Sequence, residues 1–140
     1  MSTSTHRHVD LERVETGTYR ATNERGGTLQ MGTGSMAEFT PVELLLAAIA
    51  GCSAVDVDAL TSRRAEPTTF RATVEAEKIR DDSGNILRDI ALTFTIAFPD
   101  GEDGDAARAA LPPALQVSHD RACTVSRTVE AGVPVTVRTA

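Results

Sequence analysis

Hydrophobic and polar positions change period several times along the chain, and each change predicts an element. From Arg7 to Gly32 short alternating runs dominate. Val9, Leu11 and Val14 predict a first strand, and Gly17 marks a turn into a second over Thr18 to Thr22. Asn23-Glu24-Arg25-Gly26-Gly27 is strong turn chemistry, after which Thr28 to Met31 resumes a strand. These three predict an antiparallel meander. Gly32 to Phe39 predicts a loop, and the polar stretch Met1 to Thr5 a disordered end.

At Thr40 the period switches. Thr40 is a good N-cap, Pro41 suits the first helical position, and Glu43 at the third completes a capping box. The stretch from Leu44 to Val55 is apolar almost all round. A helix without a polar face is buried on every side. It therefore predicts a central element, packed by a sheet on one side and a partner subunit on the other. Asp56, Asp58, Ser62, Arg63 and Arg64 carry its end back to solvent before Pro67.

Period two then returns. Phe70, Ala72, Val74 and Ala76 alternate with polar residues, as do Ile90, Leu92, Phe94, Ile96 and Phe98 with lighter ones. With Asp81-Asp82-Ser83-Gly84-Asn85 between them, they predict a long hairpin. Asp105 to about His119 predicts a second helix that Pro112-Pro113 should break or kink. Cys123 to Ala131 predicts a short third helix ended by Gly132, and Val133 to Arg138 a final strand. The order β-β-β-α-β-β-α-(α)-β does not alternate singly, which argues against a doubly wound parallel sheet. The expectation is a single α+β domain over 1–140, with a mostly antiparallel, curved sheet wrapped on the central apolar helix.

Composition narrows the function. Aromatic residues are only 4% of the chain and Trp is absent, so the core must come mainly from Ala, Val, Leu and Ile, leaving room for a dimer interface. The formal charge of −6 disfavours nucleic acid, whose phosphates need a basic face. The strongly apolar run from Val42 to Ala50 falls short of the ~20 residues that span a bilayer. The N-terminus has no apolar signal core. The expectation is a soluble cytoplasmic protein, with neither nucleic acid nor membrane as partner.

Two cysteines without a signal peptide do not suggest a secreted disulfide framework. They are buried small hydrophobes or reactive thiols. Cys52 lies about three turns inside the apolar helix. Burial alone would raise its pKa, and an ionised Asp56 four residues on would disfavour a thiolate further. A reactive Cys52 therefore needs a cation from elsewhere, from an Arg on the strands or on a partner chain. His119 and Cys123 share a face if their stretch is helical, which raises a weak idea of a metal site with Cys52. There is no CxxC or HxxxH, and structural zinc usually wants four ligands. A Cys–His nucleophile pair lacks an identifiable third orienting group.

The run Phe39 to Val57 resembles the Pro-x-Glu-Leu-(apolar)-Ala-Ala-x-x-x-Cys helix of the OsmC/Ohr family, carried here by Pro41, Glu43, Leu44, Ala47, Ala48 and Cys52. Ala122-Cys123-Thr124-Val125-Ser126, before the last predicted strand, matches the family's second cysteine. The resemblance covers the chain from about Val9 to Val137. It implies an intertwined homodimer with curved sheets around two central helices. It implies a thiol peroxidase for organic hydroperoxides in oxidative-stress defence. Cys52 would attack the O–O bond, Cys123 would resolve the sulfenic acid as a disulfide, and a dithiol (dihydrolipoyl or a small thiol) would reduce it. No metal or organic cofactor is implied. Glu43 occupies the position of the family's Glu that helps hold the thiolate, in competition with the capping box. The family's Arg has no clean match among Arg13, Arg20 and Arg25. Arg25, in the Gly-rich turn, is the first candidate and Arg13 the second. Thr124 stands where the peroxidase branches carry Pro, and Ala50 to Val57 looks more like a third, less characterised branch. The alternatives are a thiol protein without significant peroxidase activity that binds a small hydrophobic ligand at the dimer interface, and a structural dimer with inert cysteines.

Overall fold

The computed structural model describes residues 4–140. Of the end expected to be disordered, residues 1–3 lie outside the described residues, and Ser4 and Thr5 carry no regular structure. The chain divides into two units, the first ending at Leu45 and the second running Leu46–Ala140.

The first unit is the expected meander. Strands β1 (Asp10–Glu15), β2 (Thr18–Thr22) and β3 (Thr28–Gly32) pair antiparallel in that order. Arg13 faces Tyr19 across β1 and β2, and Tyr19 faces Met31 across β2 and β3. The β2–β3 turn is built by Asn23, whose Oδ1 accepts the backbone N–H of Arg25 at 3.1 Å and of Gly27 at 2.9 Å. After β3, the Gly32 N–H donates to the Phe39 carbonyl at 3.0 Å, leading the chain to the start of helix α1 (Pro41–Thr61). There the capping box is reciprocal. The Thr40 N–H donates to Glu43 Oε1 at 2.8 Å, and the Glu43 N–H donates to Thr40 Oγ1 at 3.2 Å.

In the second unit α1 buries one line of side chains, Ile49, Ser53, Val57 and Thr61, at i,i+4 spacing. Burial on every side is not met by the chain alone: Val55 is 70% exposed. The helix is also longer than the apolar run read from the sequence. Its 21 residues are long and apolar enough to cross a membrane by length and composition, a test that core helices also pass.

The hairpin is longer than its alternating cores suggested. Strand β4 (Thr69–Asp81) pairs antiparallel with β5 (Gly84–Ala97). Asp81 Oδ1 closes the turn by accepting the N–H of Ser83 at 2.8 Å and of Gly84 at 3.0 Å. The register shifts between Glu75 and Glu77, opposite Asp89, which takes a left-handed φ of 56°. Asp tolerates this conformation better than a branched residue would. The bulge moves the inward positions from Phe70, Val74 and Ala76 to Ile79, so one continuous alternation could not describe the strand. Phe70 and Phe94 pack edge to face with ring centroids 6.0 Å apart. The described strands form two antiparallel sheets, of three and two strands, rather than one.

Helix α2 (Glu102–Val117) starts three residues earlier than expected and is not broken at Pro112-Pro113. The prolines delete two backbone hydrogen bonds. Both are exposed, as are Arg108 and Ala109, whose carbonyls lose those bonds, so water can take the donors' place. The first turn of α2 packs hard on the chain before it. A Cβ on Gly104 would sit 1.6 Å from the Pro99 carbonyl oxygen, so only glycine fits. After Val117 the helix widens into a π-turn, Ser118–Ala122, closed by the Cys123 N–H donating to the Ser118 carbonyl at 2.7 Å. Helix α3 (Thr124–Ala131) follows, capped by Cys123 and ended by Gly132 in the left-handed conformation, φ 63°.

The expected final strand is absent. Residues 133–140 carry no regular structure, and Val135 and Val137 are each 87% exposed. The alternation of Val133, Val135 and Val137 marks a segment suited to a ladder. Alternation cannot supply the neighbouring edge, and no described strand pairs with it.

Candidate functional site

Both sulfurs come to the N-terminus of α3. Cys123 is its N-cap, and its Sγ accepts the Ser126 N–H at 3.4 Å. Cys52, on α1, feels the backbone N–H groups of Val125 and Thr124 in that same turn, which act to lower its pKa. The Cys52 thiol and the Ser53 hydroxyl both act to lower the Cys123 thiol, so the two cysteines influence each other electrostatically. Cys52 is partly accessible, whereas Cys123 is fully buried. Both are free thiols.

The electrostatics separate the pair. Burial raises the Cys52 thiol above its ordinary value, with a further rise from Cys123, against the lowering effect of the Val125 and Thr124 N–H groups. Burial also acts to raise Cys123. It is outweighed by the Ser126 side chain and N–H, the Ser53 hydroxyl and the Cys52 thiol, so Cys123 lies below the ordinary thiol value. A sulfur at a helix N-terminus that receives several donors favours its anion.

The segment leading to Cys123 is tied to α1 at its start. The Ser118 hydroxyl donates to Asp56 Oδ2 on α1 at 2.9 Å. The carboxylate expected to repel a Cys52 thiolate is thus engaged elsewhere. His119 faces neither sulfur. Its Nδ1 pairs with Asp120 Oδ1 and its Nε2 with Glu130 Oε1, both at 3.1 Å. The idea of a His119–Cys123–Cys52 metal site, and that of a Cys–His pair, fail on this orientation. Among the described residues, no group of three His, Cys, Asp or Glu side chains is placed to hold a metal ion.

Beside the thiols lies a cleft of about 550 Å³. Ile49, Val57, Leu92, Phe94, Leu115 and Val129 supply its apolar walls. Ser53, which follows Cys52, and Ser126, whose N–H donates to the Cys123 sulfur, open onto it. The cleft thus offers a largely apolar chamber; Thr93, Ser118, His119 and Glu130 join Ser53 and Ser126 as its polar lining, and neither sulfur is part of its wall.

The remaining candidates lie in the first unit. Glu43 serves the capping box. Arg13 donates to Thr16 Oγ1 at 2.7 Å, and Arg20 pairs with Glu12 at 3.0 Å. Arg25 is exposed, and among the described residues its guanidinium has no hydrogen-bond partner. Two residues were missed from the sequence, Ser53 and Ser126. Ser126 had a signal, because Cys123-x-x-Ser126 places a hydroxyl residue at the third position after a cap. Nothing local marked Ser53.

A helix-capping thiol, a second thiol from an apolar helix and an adjoining apolar cleft, set in an α+β chain with antiparallel sheets, define a dithiol protein. The chain belongs to the OsmC-like protein family, whose profile matches residues 32–138. Solved structures agree in fold. An OsmC-like protein of unknown function from Vibrio cholerae superposes with a TM-score of 0.74 at 11% identity, over 91% of this chain and 95% of that one. An OsmC-like protein from Mycoplasma pneumoniae gives 0.71 at 15% identity, over 90% and 88%. The organic hydroperoxide resistance protein OhrB of Bacillus subtilis gives 0.52 at 14% identity, over 88% and 90%. No match was found among curated proteins.

Proposed function

We propose that this protein is a thiol-dependent peroxidase that reduces organic hydroperoxides. The observation carrying the reading is the meeting of Cys52 and Cys123 at the α3 N-terminus, beside an apolar cleft. Cys52, the more accessible sulfur, attacks the peroxide and becomes a sulfenic acid. Cys123 displaces hydroxide to form the disulfide, and an external dithiol, dihydrolipoyl or a small thiol, restores both thiols. The apolar walls favour a hydrophobic hydroperoxide. The similarity in fold to an organic hydroperoxide resistance protein supports the same chemistry.

The working form is a homodimer. The uncovered flank of α1 and the unpaired segment from Val133 to Arg138 both call for a second copy. The test is turnover of cumene hydroperoxide with a dithiol reductant. The wild-type protein consumes peroxide and Cys52→Ser does not; equal turnover by the variant removes the proposal.

A further inference from the structure

The cleft beside the thiols takes its walls from α1, β5, α2, the π-turn and α3, all in the second unit. Its volume of about 550 Å³ suits a small organic molecule. Neither sulfur belongs to the wall, although Ile49 and Ser53, which flank Cys52 along α1, do. The cleft therefore receives the body of a substrate rather than its reacting bond, and its lining decides which bodies are accepted.

Charge in that lining is one-sided. α1, β5 and α2 contribute no charged side chain to it. The π-turn and α3 contribute His119 and Glu130, joined to each other at 3.1 Å. Two further carboxylates stand directly behind the lining. Asp120 takes the other ring nitrogen of His119 at 3.1 Å, and Asp56 accepts the Ser118 hydroxyl at 2.9 Å. Three carboxylates thus bear on the cleft against one imidazole, both of whose nitrogens are engaged. Among the described residues no Lys or Arg enters the wall, and Arg121 and Arg127 of the same segment are exposed. The chain as a whole adds field of the same sign, with a formal charge of −6.

A ligand carboxylate in this chamber gives up water for apolar walls and like charges, with no cation free to pair with it. A neutral hydroxyl, ester or amide meets no such repulsion and can exchange hydrogen bonds with Ser53, Thr93 and Ser126. We infer that the cleft selects hydroperoxides whose apolar body carries no carboxylate, and that Glu130, with Asp120 behind His119, is the specificity-determining group that turns acids away. This rests on the peroxidase reading and deepens it by naming the substrate class.

The test compares two substrates of nearly equal shape and different charge on the full-length protein with a dithiol reductant. They are cumene hydroperoxide carrying a para-carboxylate and the methyl ester of the same compound. At pH 7 the wild-type kcat/KM for the ester should exceed that for the acid by about tenfold. Glu130→Gln should narrow this ratio by about threefold, the share of one charge at a partly solvated site. Asp120→Asn supplies a second variant and should narrow the ratio in the same direction. A wild-type ratio near one, or a ratio unmoved in both variants, overturns the inference. Failure of the wild-type protein to turn over either hydroperoxide defeats the peroxidase reading instead. The selectivity is then read by isothermal titration calorimetry with the unreactive analogues para-isopropylbenzoate and its methyl ester. Tighter binding of the ester, lessened in Glu130→Gln, sustains the inference, and equal binding of the two overturns it.

Discussion

Ser118 and Asp56 are joined by a 2.9 Å hydrogen bond that fastens the head of the π-turn to the C-terminal third of α1. Ser118 is only 1% exposed, so no water replaces its hydroxyl cheaply. The bond fixes the segment on which Cys123 rides against the helix that carries Cys52. Ser118→Ala should destabilise the protein by about 1 kcal/mol, the usual net worth of a hydrogen bond whose remaining partner, the half-buried Asp56, can still reach water. Urea unfolding should show an earlier midpoint with an unchanged slope. The Asp56→Ala/Ser118→Ala pair should cost less than the sum of the single changes. Additivity would mean that the two side chains do not work as a unit.

Glu43 holds two candidate roles that one substitution separates. Gln can occupy the same capping position, because its side-chain oxygen accepts the Thr40 N–H as Glu43 Oε1 does at 2.8 Å. Glu43→Gln should therefore leave the thermal midpoint nearly unchanged, whereas Thr40→Ala should cost about 0.5–2 kcal/mol. If the carboxylate also serves the Cys52 thiolate, Glu43→Gln slows single-turnover oxidation of Cys52 while the fold stays intact. An unchanged rate confines Glu43 to capping.

His119 ties the π-turn to α3 through Glu130. Its imidazolium is favoured first by the hydrogen bond to Asp120 and then by that to Glu130, so its pKa is raised above the ordinary 6.5. A raised base binds its proton more tightly when folded, so its contribution is complete below the unfolded value. It is lost as pH rises through the higher folded value. The urea midpoint should fall on going from pH 6 to pH 8. His119→Gln should flatten that dependence. A midpoint that rises over this interval, or an unaltered slope in the variant, contradicts the tether.

Much of the architecture was legible because its determinants are local. The capping box at Thr40, the Gly-rich turn after Thr22 and the stop at Gly132 each rest on a few neighbouring residues. What failed depended on partners distant in sequence. Val133, Val135 and Val137 alternate as a strand should, but a strand exists only where an edge accepts it. Pro112-Pro113 signalled a break, yet the lost bonds face solvent and the helix runs on. The candidate site was hardest to see. Its two thiols are about seventy residues apart, and no spacing rule joins them; only the likeness to a family did. Ser53 left no trace, since a serine following a cysteine in an apolar helix looks like any small residue filling space.

The proposed coupling of Cys52 and Cys123 across that long interval carries an energetic consequence. A bridge closing a loop of about seventy residues restricts the unfolded chain by roughly 4 kcal/mol on the loop-entropy account. Around a thermodynamic cycle the same quantity reappears as resistance of the bridge to reduction in the folded chain, roughly 90 mV for a two-electron couple. The oxidised form is thus the tougher fold and the reluctant electron acceptor at once, and whatever reductant regenerates it must work against the protein's own architecture.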